Sequence, residues 1–272
     1  MASVDVYGRT QELDATTLDA IVTRLEARGK QAIFAKMINE YLDRLPLASI
    51  GRVLDLGCGT GVAARAIAAR PDFRGHVLGI DIGPALVEAA RRLSEESVVR
   101  IDYLIGDTHS LDLPDASFDA VIAHTLLSHV GDPFAVLKEA ARLVPSGGWI
   151  VVFDGDYASL TFGTEDQDYG ARMDAAIIKS IVANPRVMRS MPRLLRGAGL
   201  DLVASIPYVL TEIGEADFWA GLLNSLPVLL PKAGIVGAQE AQAFVDAQFK
   251  ASADGTFFGS SNFYTYIAQR SA

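Results

Sequence analysis

The chain has a single cysteine, Cys58. One thiol excludes an intrachain disulfide framework and any cysteine-built metal site. Basic residues are also in short supply, with 24 Lys and Arg against 33 Asp and Glu, a formal charge of −9. Such a chain has no general attraction for phosphate backbones, which argues against nucleic acid as a main partner. No apolar run reaches the ~18 residues of a membrane-spanning helix. The opening residues, Met1-Ala-Ser-Val-Asp-Val-Tyr7, lack the apolar heart of a secretion signal. The expected setting is the cytoplasm, with neither membrane nor nucleic acid as partner. What is plentiful is apolar side chain. At 50% of 272 residues it can fill a substantial core, in one large domain or a domain with a cap.

Residues 1–50 read as two helices forming an N-terminal helical cap. Asp14 suits the N-cap of the first, whose Leu18, Ile21, Val22 and Leu25 follow helical spacing, and Gly29 is expected to stop it. The second carries Ile33, Phe34, Met37, Ile38, Tyr41, Leu42 and Leu45 on one stripe before Pro46. From Arg52 onward short apolar runs alternate with helical segments. The runs are Val53–Leu56, His76–Ile80, Ile101–Ile105, Phe118–Ala123 and Trp149–Phe153, and between them lie helical segments at 62–70, 84–94 and 133–143. Alternation of this kind predicts a parallel sheet with helices on both faces. Beyond it, 157–168 reads as a polar and aromatic loop, followed by helices near 169–182 and 186–196 and a strand at 202–210. A helix at 216–230, another at 237–252 and a last strand at 262–269 complete the pattern.

The sharpest motif is Val53-Leu-Asp-Leu-Gly-Cys-Gly-Thr-Gly61, closing the first strand and opening the first helix of the alternating region. Its glycines allow a tight turn and a ligand pressed against bare main chain. The dinucleotide fingerprint needs G-x-G-x-x-G, whereas here the third glycine comes one residue early and position 62 is Val. Asp55 precedes the loop, and a carboxylate there suits an ammonium group better than a pyrophosphate. Asp81 ends the second strand, where an acid can accept two hydrogen bonds from ribose hydroxyls. Gly106-Asp107-Thr108 follows the third strand, where a carboxylate can accept from an exocyclic amine.

Together with Leu113-Pro114, Ser117-Phe118-Asp119 and Leu143-Val-Pro-Ser-Gly147-Gly148, these blocks resemble, in order and spacing, the class I S-adenosylmethionine-dependent methyltransferases. The resemblance covers about residues 50–154 and points to the small-molecule branch related to ubiquinone and menaquinone biosynthesis. It implies an α/β fold: a seven-stranded Rossmann-like sheet, mostly parallel, with an antiparallel last strand beside the fifth and helical cap elements. The methyltransferase domain is then 51–272, with helical insertions at about 155–197 and 211–256. By the same resemblance Gly57, Cys58, Gly59 and Gly61 hold the methionine part of S-adenosylmethionine, and Asp55 helps hold its amino group. Asp81 takes the ribose hydroxyls, Ile82 packs on adenine, and Asp107 and Thr108 meet its edge. His124 lies beneath the methionine part. The implied activity is methyl transfer to O, N or C of a small, partly apolar metabolite, with S-adenosylhomocysteine as product.

Two residues are candidates for catalysis. His129 lies in the loop after the fourth strand and can serve as a general base or as a bracing side chain. Asp156, with Asp154, stands at the carboxyl edge of the sheet, as an alternative base, a substrate-orienting group or a turn residue. His124 and His129 have no third ligand in sight, so no metal is expected. Arg24 and Arg28 read as solvated face residues that can alternatively reach the methionine carboxylate. Asp81 alone also reads as a helix N-cap before Pro84. The competing functions are a cofactor-binding homologue that does not methylate and a nicotinamide-dependent oxidoreductase.

Overall fold

Asp14 starts helix α1 (Ala15–Lys30) by accepting from the Thr17 N–H, as its residue type dictates. The computed structural model describes Asp5 and residues 7–272; the reading of Met1–Val4 and Val6 lies outside the described residues. Gly29 does not stop α1. It sits within the last turn, where a Cβ would lie 2.7 Å from Val62, so the glycine is there for close packing. Helix α2 (Ala32–Leu42) buries Phe34, Met37, Ile38, Tyr41 and Leu42 of the expected stripe, while Ile33 is exposed.

The sheet comprises β1 (Arg52–Leu56), β2 (His76–Asp81), β3 (Ile101–Ile105), β4 (Ala120–His124), β5 (Trp149–Phe162), β6 (Leu200–Gly214) and β7 (Phe257–Arg270). Its order is β3-β2-β1-β4-β5-β7-β6. The first five strands are parallel, and β7 runs antiparallel to both β5 and β6. Helices α3 (Val62–Ala68), α4 (Pro84–Leu93) and α5 (Pro133–Leu143) are the crossovers. Helix α5 matches its predicted span because Asp132 caps Phe134 and Ala135 and Pro133 opens the first turn.

Strand alternation sorts the core into two layers. Val53, Ile122, Val151 and Phe153 face the layer holding α2, α3, α6 (Gln167–Ile181) and α10 (Ala238–Ala253). Leu54, Val121, Ile150 and Val152 face the layer holding α5 and α7 (Val187–Gly197). Among the described residues, no helix is long and apolar enough to cross a membrane.

The stretch after Phe153 departs from the sequence reading. Residues 157–162 continue β5 instead of forming a loop, paired to β7 across an irregularity between Asp156 and Thr161. Ser159 fills that irregularity: its hydroxyl donates to the Asp156 carbonyl and accepts from Asn262 N–H. The helical excursion therefore begins at Gln167, not near 155. The helix expected over 216–230 is two short ones, α8 (Ala220–Leu223) and α9 (Leu226–Lys232), because Pro227 cannot continue the ladder of α8.

Candidate active site

The parallel strands end at one edge, where the loops after β1, β2 and β4 converge. There Asp55, Gly57, Cys58, Gly59, Asp81, His124 and His129 line one narrow cleft. Gly57 and Gly61 are held at φ +71° and +81°, where side chains are strained. A Cβ on Gly57 would stand 2.4 Å from Leu126, and one on Gly61 2.3 Å from the Tyr103 hydroxyl. The loop is pinned to β2: Gly57 and Cys58 N–H groups donate to the Ile80 carbonyl.

Asp55 is fully buried. Its Oδ2 accepts from Ala64 N–H in the first turn of α3, at 3.0 Å, while Oδ1 has no partner among the described residues. Burial pushes its carboxyl up to about 7, with the charge of Asp81 adding to the effect and the Ala64 N–H opposing it. Asp81 accepts from Gly59 N–H at 2.9 Å and from Gly83 N–H at 2.8 Å, one bond per oxygen. It thus braces the glycine loop instead of capping α4, and each oxygen retains a lone pair. Burial raises its carboxyl as well. Cys58 is a buried thiol whose pKa burial pushes up, so it is no nucleophile.

His124 ends β4 on the same sheet face as Asp55. Its ring stacks on Phe153 at 4.6 Å, and Nδ1 meets the Tyr41 hydroxyl at 3.1 Å. Burial, reinforced by Arg28, lowers its pKa to about 3, which makes it a neutral imidazole, and its buried Nε2 has no partner among the described residues. The next residue, Thr125, is a β-branched residue at φ 54°, a strained conformation held by its N–H on the Phe153 carbonyl.

His129 is held from outside the sheet, by Asp5. Its Nδ1 lies 2.8 Å from Oδ2 of Asp5, which is itself buried and also accepts from Ala183, Tyr7 and Gly8 N–H groups. A carboxylate on Nδ1 keeps the proton there, leaving Nε2 as the acceptor on the far side of the ring. Tyr7 packs on that ring at 5.2 Å, and Asp154 fixes the loop by accepting from Ser128 N–H and Oγ–H. Asp5 and Tyr7 were missed: His129 lies 124 residues from Asp5 in the chain, and nothing local marks either residue.

Other expected residues are elsewhere. Asp156 does not reach the cleft. Strand alternation turns it, with Asp154, to the α7 side, where both its oxygens accept from Arg189 Nε at 2.9 Å. Tyr157, on the opposite face, does line the cleft. Gly61, Ile82, Asp107 and Thr108 do not line it. Asp107 is engaged by His109, through its N–H and its Nδ1 at 2.6 Å, and these contacts hold its carboxyl below the usual range. Ile82 is about one-third exposed and Thr108 is buried. Arg24 and Arg28 are not solvated face residues; both line the cleft.

A methyltransferase-domain family matches residues 54–152, the stretch that carries β1 to β5. A ubiquinone biosynthesis O-methyltransferase of Xanthomonas oryzae is 41% identical over 106 residues, which is 39% of this chain and 43% of that protein. Residues 54–152 are a methyltransferase domain of the class I, S-adenosylmethionine-dependent kind. A longer match links this methyltransferase to an uncharacterised 37.1 kDa protein in transposon TN4556 of Streptomyces fradiae. The two are 31% identical over 258 residues, 94% of this chain and 71% of that one. The fold is shared with a geranyl diphosphate methyltransferase solved with S-adenosylmethionine, at a TM-score of 0.54 and 17% identity. That overlap covers 87% of the methyltransferase and 85% of the other chain. The matched stretch is less than half the length of the ubiquinone-pathway relative, and so carries the domain rather than its substrate.

Proposed function

We propose that this chain transfers a methyl group from S-adenosylmethionine to a hydroxyl oxygen of a small, partly apolar acceptor. The observation that carries the reading is Asp55 Oδ1, a buried acceptor on the floor of the cleft that has no partner among the described residues. A buried carboxylate oxygen in that state calls for a donor, and an ammonium group meets the need best. Asp55 then holds the amino group of the cofactor and the bare main chain of 57–61 lies along its methionine part. The free lone pairs of Asp81 take the ribose hydroxyls. Ile82, Asp107 and Thr108 stand at the adenine end, and His124 contributes a neutral Nε2.

When bound, the cofactor supplies a methyl carbon already activated on a sulfonium sulfur. The protein's part is to bind, align and deprotonate. Alignment of bound partners alone is worth roughly 7–11 kcal/mol of barrier in well-oriented reactions. His129 Nε2 takes the acceptor's hydroxyl proton, while Asp5 keeps the opposite ring nitrogen protonated and the ring in place. This need for a base favours an acidic hydroxyl over a carbon nucleophile, in keeping with the O-methyltransferase among the relatives. Tyr7 and the 3-10 turn Tyr7–Glu12 shield this corner from water.

Calorimetry with S-adenosylhomocysteine tests the reading. Binding by the wild type is expected, with Asp81→Ala weaker by about 10-fold or more, since hydrogen bonds to charged acceptors are worth about 1.5–3 kcal/mol each. Absence of heat with the wild type overturns the proposal.

A further inference from the structure

Beside the cleft lies a larger chamber of about 530 Å³. Leu160, Ile181, Phe218, Trp219, Leu222 and Phe263 form its apolar wall. Arg24, Arg28, Tyr157 and Ile181 line both cavities, so the two meet there. Both arginines come from α1, one turn apart. Each is half-buried, and among the described residues each makes one side-chain hydrogen bond, to a neutral group: Arg24 Nη1 to the Tyr7 hydroxyl, and Arg28 Nη2 to Thr125 Oγ1 at 3.0 Å.

Among the described residues no carboxylate lies within ion-pair distance of either guanidinium, whereas Arg65 is paired with Glu26, Arg142 with Glu139 and Arg189 with Asp156. The chamber's two acids, Asp19 and Asp217, are exposed at its rim, and Asp217 is engaged by Gln31. Two like charges one helical turn apart and withdrawn from water repel each other and carry a desolvation cost that anions relieve. The methionine end of the cofactor supplies one carboxylate. One cation remains.

Position decides which. Arg28 is tied to Thr125 at the end of β4, and its neighbour Gly29 packs on Val62, which opens the helix after the glycine loop. Arg24 is held by Tyr7, whose ring lies against His129. We infer, resting on the function proposed above, that the chamber takes an apolar, ring-bearing acceptor that carries an anionic group, paired with Arg24. Arg28 serves the carboxylate of the cofactor. The apolar wall takes the acceptor's rings, and the cation beside His129 holds its charged end, so that the hydroxyl to be methylated lies at the junction of the two cavities.

The test uses 2-naphthoate and its uncharged amide as probes, titrated calorimetrically into protein saturated with S-adenosylhomocysteine. The acid is expected to bind the wild type about 10-fold or more tighter than the amide, the effect of one charge-assisted contact. Arg24→Gln is expected to erase that preference while its S-adenosylhomocysteine affinity stays within about twofold of wild type, and Arg24→Lys to restore part of it. Arg28→Gln is expected to weaken S-adenosylhomocysteine instead, by about 10-fold or more. Thermal melts of the variants confirm that they fold. Equal binding of acid and amide, no binding of the acid, a preference that survives Arg24→Gln, or an Arg24→Gln variant that loses S-adenosylhomocysteine each overturns the inference. A wild type that fails to bind S-adenosylhomocysteine is a different result and strikes at the proposed function itself.

Discussion

Burial of Asp55 makes cofactor affinity depend on pH in a way that can be worked out in advance. The carboxyl titrates near 7 in the folded, unliganded protein, far above its ordinary range, because it lies in the core with a single N–H partner. The displacement from 3.8 to about 7 corresponds to about 4 kcal/mol. Between those values the folded chain holds a proton that the unfolded chain has lost. Stability of the unliganded protein is therefore greatest at low pH on this account and falls as pH rises through 7. An ammonium ligand needs the ionised form. Below pH 7 binding must expel the proton, so affinity for S-adenosylhomocysteine is expected to fall about tenfold per pH unit as pH drops from 7 toward 5.

Asp55→Asn removes the titration. That variant is expected to bind about 10- to 100-fold more weakly at pH 8, with a much shallower pH dependence; what slope remains belongs to Asp81, which burial also raises. Calorimetry at pH 6 in two buffers of different ionisation enthalpy reads the released proton directly. A wild-type affinity that is flat between pH 5.5 and 8, where a carboxyl titrating near 7 requires a change of about 30-fold, or an Asp55→Asn variant of wild-type affinity at pH 8, rules out Asp55 as the partner of the ammonium group.

Three other perturbations follow from the same geometry. Gly57→Ala places a Cβ 2.4 Å from Leu126 at φ +71°, so a melting temperature lower by several degrees is expected, at about 1–3 kcal/mol, together with weakened S-adenosylhomocysteine binding; an unchanged melt contradicts the close packing. Asp156→Ala breaks the pair with the half-exposed Arg189 and is expected to cost about 1–3 kcal/mol while leaving S-adenosylhomocysteine affinity unaltered; a tenfold loss of affinity would put Asp156 back at the site. Once an acceptor is in hand, His129→Gln is expected to lose about 10²–10⁴ in kcat with cofactor affinity intact, and Asp5→Asn part of that. In Asp5→Asn the His129 proton is also expected to redistribute from Nδ1 toward Nε2, visible in imidazole nitrogen NMR, and full kcat in His129→Gln removes the base from the mechanism.

Much of the architecture was legible because it is written locally. Asp132-Pro133 signals the start of α5, Asp14 that of α1, and the alternation of apolar runs with helical stripes imposes the parallel sheet. What failed depended on partners remote in sequence. Residues 157–162 are polar enough to read as a loop, and only pairing with a strand a hundred residues on keeps them extended. Gly29 looks like a stop signal until Val62 is placed against it. Spacing alone points to the glycine loop, Asp55 and Asp81, and the structure brings Gly57, Gly59, Asp55 and Asp81 to one cleft. Asp156 was misplaced because strand parity, clear once β5 is known to run on, sends it to the face opposite Tyr157. Asp5 was invisible, since a lone acid near the start of a chain has no pattern until the fold carries it to His129.

The position of β7 has a bearing on how this molecule comes into being. Among the described residues, strand β6 touches the rest of the sheet only through β7, the last of the seven strands to leave the ribosome. A nascent chain that has already emerged through Gly214 thus holds a fifteen-residue strand with both flanks unsatisfied, and β5 beyond His124's neighbour Phe153 is equally unzipped. Closure waits for Phe257–Arg270 to slot between them, so translation must finish this segment before the wall carrying Phe263 exists, and the interval before it does is when the bare edges are open to chaperones or to aggregation.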